Sequence, residues 1–304
     1  MDKQQKDGSY RARMRLPANK ISYYLPFLFF LVFSGCGSLF FYPHKQLYDN
    51  PVAQQFSPED LYFKTPDGLT LHGWFFRTAK PDARATILIL HGNAENLSTH
   101  VNSVLWLIRE GFNLFIFDYR GYGRSQGSPS IKGVHVDAEA ALKTLLSLPN
   151  MDKGQIIVLG QSIGGAIAVY TVANTPYKDR ISALVIDSAF SSYRRIAREK
   201  LAQVFITWPF QYPLSLFFSD DYSPIKWIKK VSPVPVLIIH GEQDPVVPGH
   251  HGQVLYDAAL QPKDFWKTTA PGHVRSFADE GVREKLVVYL TEQIKKDVID
   301  VTEK

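Results

Sequence analysis

Residues 156–170 read Ile156-Ile157-Val158-Leu159-Gly160-Gln161-Ser162-Ile163-Gly164-Gly165-Ala166-Ile167-Ala168-Val169-Tyr170. Four apolar, mostly β-branched residues running into a glycine-serine turn predict a strand buried on both faces. The segment after the turn, Gly164–Ala173, has the spacing and composition of a helix. A G-x-S-x-G pentapeptide alone is a weak signal, but this one sits where a strand stops and a helix begins. Glycines on both sides of Ser162 allow a tight, strained turn that lifts the hydroxyl above the sheet. The helix N-terminus beneath it favours developing negative charge. The competing reading is an ordinary Gly/Ser turn with no chemistry.

Outward from this turn, strand and helix signals alternate. Apolar runs at Ala85–Leu90, Asn113–Phe117, Gln155–Leu159, Ala183–Ile186 and Val234–Ile239 predict parallel strands. Helical periodicity marks His100–Arg109, Val136–Leu148 and Gly252–Ala259. Upstream, Leu61–Lys64 and Leu69–Phe76 flank Thr65-Pro66-Asp67-Gly68, which reads as an antiparallel hairpin. The expected fold is α/β: a mostly parallel, doubly wound sheet with an N-terminal hairpin, its crevice at the carboxyl ends of the strands. No repeat or low-complexity linker divides residues 56–304, so they are expected to form one domain. Residues 188–231 interrupt the alternation and hold Phe190, Tyr193, Phe205, Trp208, Phe210, Tyr212, Phe217, Phe218, Tyr222 and Trp227. This stretch predicts one or two short helices plus loop, forming a small apolar cap over the strand ends.

A serine hydroxyl needs a base to take its proton. His273, in Ala270-Pro271-Gly272-His273, lies between the last predicted strand and the C-terminal helix. An acid must hold that imidazole in the right tautomer. Asp244 follows directly on a strand end; Asp187, ending the preceding strand, is its rival, and Glu242 a third choice. The order Ser162, Asp244, His273 fits a nucleophile, acid and base brought together at strand ends. Two backbone donors would stabilise the oxyanion: the amide of Ile163 and that of Asn93, in the loop after the strand 86–90. His91, in the same loop, is expected to shape the turn.

With HGNAENLS (91–98), FDYRGYGRSQGSPS (117–130), GQSIGG (160–165), HGEQDPVVP (240–248) and PGH (271–273), the chain resembles the α/β-hydrolase superfamily. Within it, the pattern is similar to serine aminopeptidase-like and lysophospholipase-like hydrolases, many of them membrane-anchored. The resemblance covers about residues 60–295. It implies Ser162 as nucleophile, Asp244 as acid, His273 as base, and Asn93 and Ile163 as oxyanion donors. Arg120 and Tyr122 are read as structural. Substrate stays open, since this fold hosts esterases, lipases, thioesterases and peptidases. The leading expectation is a serine hydrolase acting on an ester, thioester or lipid acyl bond. A peptidase on the same triad and an inactive tethered scaffold are the alternatives.

The N-terminus carries a different message. Residues 1–20 are polar and basic, 21–33 (ISYYLPFLFFLVF) are apolar, and Ser34-Gly35 precede Cys36, the one cysteine in 304 residues. This is signal-peptide architecture over 1–35, and with Cys36 it resembles the lipobox of bacterial lipoproteins, in which Cys36 receives lipid. The rival is an uncleaved anchor helix reaching Tyr42. Either would tether an extracytoplasmic domain through a linker at 36–55. A start at Met14 would keep Arg15 and Lys20 ahead of the same apolar run.

Composition excludes the rest. A single cysteine rules out a disulfide framework, and 45% apolar residues rule out a disordered chain. Residues 1–35 hold six basic against two acidic groups and so supply most of the net charge of +5. The nearly neutral body gives no reason to expect nucleic acid as a partner. Gly121-Tyr122-Gly123 only echoes a dinucleotide loop. His250-His251 lacks a carboxylate at helical spacing and reads as a surface pair. No metal or organic cofactor is implied.

Overall fold

The computed structural model describes residues 40–148 and 155–302, all within one compact unit, Gly37–Lys304. Cys36 and the expected signal or anchor over 1–35 lie outside the described residues. The strands are β1 Tyr42–Pro43, β2 Glu59–Lys64, β3 Thr70–Phe76, β4 Thr86–Leu90, β5 Ala94–Glu95, β6 Asn113–Phe117, β7 Ile156–Gln161, β8 Ile181–Asp187, β9 Val236–Gly241 and β10 Lys263–Thr268. Eight of them form the main sheet in the order β10-β9-β8-β7-β4-β6-β3-β2. From β10 to β6 neighbours run parallel; β3 is antiparallel to β6 and to β2. The doubly wound, mostly parallel α/β sheet is therefore as expected.

Alternation along the central strands explains the two cores. Leu88, Leu90, Phe115, Phe117, Val158 and Ile186 pack on one face. Ile87, Ile89, Leu114, Ile116, Leu159 and Val185 pack on the other. Helices cover both faces, so these strands have no polar side and read as continuous apolar runs. The hairpin turn is also where the sequence puts it: Gly68 adopts φ +87° and donates its N–H to the Thr65 carbonyl at 2.9 Å. Arg120 ties that turn to the body. Its guanidinium donates to Asp67 at 2.9 Å and to the buried Asp137 at 2.7 Å.

Three expectations need correction. First, residues 40–55, expected within a linker, are folded onto the domain. β1 pairs with β5, Phe41 is buried, and Asn50 caps the turn Pro51–Gln54 while donating to Asn102 at 3.0 Å. Second, the helix expected over His100–Arg109 is broken. It comprises Leu97–His100, a 3-10 turn at Val101–Ser103 and a short helix Trp106–Arg109, the backbone leaving helical space at Val104 (φ −127°). Its apolar stripe is still buried, so the periodicity foretold burial and not continuity.

Third, the cap is built differently. Residues 188–231 form the helix Tyr193–Ala202 and the shorter helices Gln211–Ser215 and Pro224–Trp227, joined by turns. Their aromatic rings serve three ends. Tyr222 and Trp227 pack on Tyr170 of the main domain. Phe190 and Phe218 line a cavity. Phe205, Trp208, Phe210 and Tyr212 face outward.

Candidate active site

Ser162 stands between β7 and the helix Ile163–Asn174 with φ +56° and ψ −121°, a conformation L residues seldom adopt. Its N–H is held by the Asp187 carbonyl at 2.9 Å. Two glycines make this turn possible by their missing side chains. A Cβ on Gly164 would fall 1.9 Å from the Leu90 carbonyl oxygen, and one on Gly160 2.4 Å from that of Gly164. Since the obstructing atoms are backbone, neither can swing aside. Gly164→Ala is expected to destabilise the protein by about 3 kcal/mol, the upper end for overpacking. Denaturant unfolding checks this, and an unchanged midpoint would refute the steric argument.

His273 follows β10 and meets Ser162 across the strand ends. Its Nε2 lies 2.8 Å from Ser162 Oγ and its Nδ1 2.7 Å from Asp244 Oδ2. A carboxylate only accepts, so Nδ1 carries the hydrogen and Nε2 is left to accept from the serine hydroxyl. Asp244 is itself fixed: its other oxygen accepts the Val246 and Val247 amides at 2.8 and 2.9 Å. Burial pushes this carboxyl up, but the hydrogen bonds from His273 and from Val247 and Val246 outweigh it and hold the carboxyl below its usual value. The buried His240 steadies the same loop by donating from Nε2 to the Val247 carbonyl at 2.8 Å.

The other acids are placed elsewhere. Asp187 is fully buried and accepts from Ser276 at 2.7 Å, Ser188 at 3.1 Å and Gln161 at 3.2 Å. Burial raises its pKa despite those bonds. Glu242 is exposed. His91 is fully buried, with Nδ1 2.7 Å from the Gly92 carbonyl and its ring stacked on His100.

Asn93 and Ile163 both line the cavity above Ser162, and neither backbone N–H is spent on another group among the described residues. The sequence hid what steadies Asn93. Its side-chain oxygen accepts the Tyr42 N–H at 3.0 Å and the Tyr122 hydroxyl at 3.1 Å. Tyr122 is thus more than a packing residue, and the first described strand reaches the site from 51 positions away.

The cavity encloses about 1110 Å³. Cap residues Phe190, Ile196, Leu201, Val204 and Phe218 form an apolar wall facing Ser162 and His273. Lys200, Arg275 and Arg283 also line it, against one acid, Glu95.

One further cluster departs from expectation. His251 is buried, not on the surface, and Glu199 of the cap helix supplies the carboxylate that local spacing lacks. Glu199 lies 3.0 Å from His251 Nε2 and 3.1 Å from His250 Nε2, three groups close enough to surround an ion. However, His251 Nδ1 accepts the Ser191 N–H at 3.1 Å, so Nε2 carries the proton of the neutral ring. A protonated nitrogen offers a metal no lone pair, and burial holds the His251 pKa down to about 4. This arrangement suits a hydrogen-bonded clasp between cap and body.

With this geometry in hand, known proteins are informative. The family model described as serine aminopeptidase, S33 matches residues 81–222. The protein YfhR of Escherichia coli (strain K12) is 34% identical over 291 residues, 91% of this chain and 97% of that one. The α/β-hydrolase domain-containing protein WAV2 of Arabidopsis thaliana is 35% identical over 206 residues, 66% of each chain. Among solved structures, the Pyrococcus furiosus esterase Pf2001 superposes with a TM-score of 0.65 at 22% identity, covering 84% of this chain and 98% of that one. At that identity the likeness is one of fold.

Proposed function

This chain belongs to the α/β-hydrolase superfamily, and on that premise we propose that it is a membrane-tethered serine hydrolase cleaving a carboxylic ester, thioester or lipid acyl bond. The observation that carries the reading is the unbroken hydrogen-bonded line from Ser162 through His273 to Asp244, at 2.8 and 2.7 Å. In the proposed mechanism Ser162 Oγ attacks the acyl carbonyl as His273 Nε2 takes its proton. The Asn93 and Ile163 amides receive the developing oxyanion. Collapse expels the alcohol or thiol, which leaves with the proton from His273. Water, deprotonated by the same ring, then releases the acid from Ser162.

The cavity favours an acyl substrate over a peptide with a free amino terminus. An ammonium group is drawn to negative charge, and the lining sets one acid, Glu95, against three cations. The peptidase reading keeps the support of the matching serine aminopeptidase S33 family, and the Pyrococcus neighbour, an esterase, supports the other. Labelling by a fluorophosphonate probe tests the enzyme against an inert scaffold; p-nitrophenyl esters beside aminoacyl-arylamides then divide esterase from peptidase.

Catalytic efficiency is expected to rise from acetyl to octanoyl esters. Each methylene buried against apolar walls is worth about 0.8 kcal/mol, so the six that separate octanoyl from acetyl add about 5 kcal/mol before ordering costs. Flat or falling efficiency along that series would exclude an apolar acyl site.

The tether is proposed from sequence: lipid on Cys36, or an uncleaved apolar segment, with the catalytic domain outside the cytoplasm. Among the described residues no helix is long and apolar enough to cross a membrane. Cys36→Ser, followed by lipid labelling and precursor size, decides between the two.

A further inference from the structure

The cap exposes what a water-facing surface normally hides. Residues 203–218 (QVFITWPFQYPLSLFF) carry no charge. Phe205 is 93% exposed, Ile206 77%, Leu216 65%, Trp208 58% and Phe210 57%. Scattered apolar side chains on a surface mean little, but bulky ones concentrated on one short segment mark an interaction site. We propose that this face of the cap docks into the headgroup boundary of an anionic lipid bilayer, with Phe205, Ile206 and Trp208 inserted among the acyl chains.

Three features select a bilayer over another protein. The residue mixture is that of a membrane interface, with Trp208 and Tyr212 beside aliphatic and phenyl groups. Next to it, the helix Tyr193–Ala202 carries Arg194, Arg195, Arg198 and Lys200 against Glu199 alone. Arg198 lies over the Tyr212 ring at 5.1 Å, so positive charge borders the apolar patch where lipid headgroups would sit. Finally, the described chain begins at this end of the molecule. The Phe40 ring packs edge-on against Tyr193 and Phe218 of the cap, at 5.3 and 5.0 Å. Only three residues separate Phe40 from Cys36, four steps of chain with a reach of at most about 14 Å. This last point rests on the tethered reading; the first two do not.

Docking would also set the substrate's route. Val204 lines the cavity, whereas Phe205 and Ile206, next in the chain, face outward. An acyl chain leaving the bilayer at the patch therefore meets the cavity wall without crossing bulk water.

The full chain, incorporated in vesicles of phosphatidylcholine and phosphatidylglycerol, provides the test. Brominated phosphatidylcholine is expected to quench tryptophan emission in wild type, and Trp208→Phe to remove the quenched component. Phe205→Ser/Ile206→Ser keeps Trp208 and should lower its quenching several-fold while leaving hydrolysis of a water-soluble ester unchanged. Quenching should also weaken when phosphatidylglycerol is omitted or salt is raised. Vesicle-bound protein whose quenching is unaffected by Trp208→Phe would overturn docking and leave the tether standing. Protein that neither floats with vesicles nor quenches would overturn both. Should the patch instead hold two copies together, the double variant would halve the particle mass with no quenching in either form, again overturning it.

Discussion

Ser162→Ala is expected to abolish turnover while the protein melts as wild type does. Among the described residues the only side-chain hydrogen bond lost is that to His273, at the edge of the cavity. The methyl group fits where the methylene was, and the backbone constraint at φ +56° is no worse for alanine than for serine. Without an oxygen to carry the acyl group, the covalent route closes. The loss in kcat should be about 10⁶-fold, the scale seen when a triad nucleophile is removed. Steady-state hydrolysis of a p-nitrophenyl ester, with thermal melting as the control, measures both. Retained turnover in a natively melting variant would remove Ser162 from the mechanism, whatever its geometry.

Asp244→Asn should cost about 10⁴-fold in kcat. An amide can present its NH₂ to the His273 ring, which then holds its hydrogen on Nε2 and cannot accept from Ser162. The two loop amides of Val246 and Val247 fix the carboxylate from the other side, so rotation offers no easy escape. Asp187→Asn is the informative contrast. That side chain serves Ser276, Ser188 and Gln161 beneath the site, and its loss should lower stability while changing kcat by less than about tenfold. The opposite ranking would transfer the acid's role to Asp187.

Much of this was legible in the sequence for a physical reason. A strand buried on both faces has no polar positions, so β4, β6, β7, β8 and β9 announce themselves as apolar runs. Chemistry in such a sheet gathers at strand ends, which is where Ser162, Asp244 and His273 fall. The illegible parts share another cause. Tyr42 and Asn93 are joined by one hydrogen bond across 51 positions, and Glu199 meets His251 across 52. No local periodicity encodes such pairs. Residues 40–55 look like a linker because they are short on helical or strand pattern, yet they are held by side chains of Asn50, Asn93 and Asn96. In the cap, composition foretold an apolar element but could not say which rings turn inward, since exposed and buried phenylalanines look alike in sequence.

The hold of β1 on Asn93 bears on where the hydrolase domain can be trimmed. A cut placed by composition, near Phe56, would delete the Tyr42 N–H and uncover the niche of Phe41. Of the two hydrogen bonds to the Asn93 side chain only that from Tyr122 would then remain, loosening the amide opposite Ser162. A fragment starting at Gly37 should hydrolyse soluble esters as the full chain does, and one starting at Phe56 far more slowly even where it folds. Comparing the two rates tells whether the first described stretch of chain is merely packaging or a working part of the proposed oxyanion site.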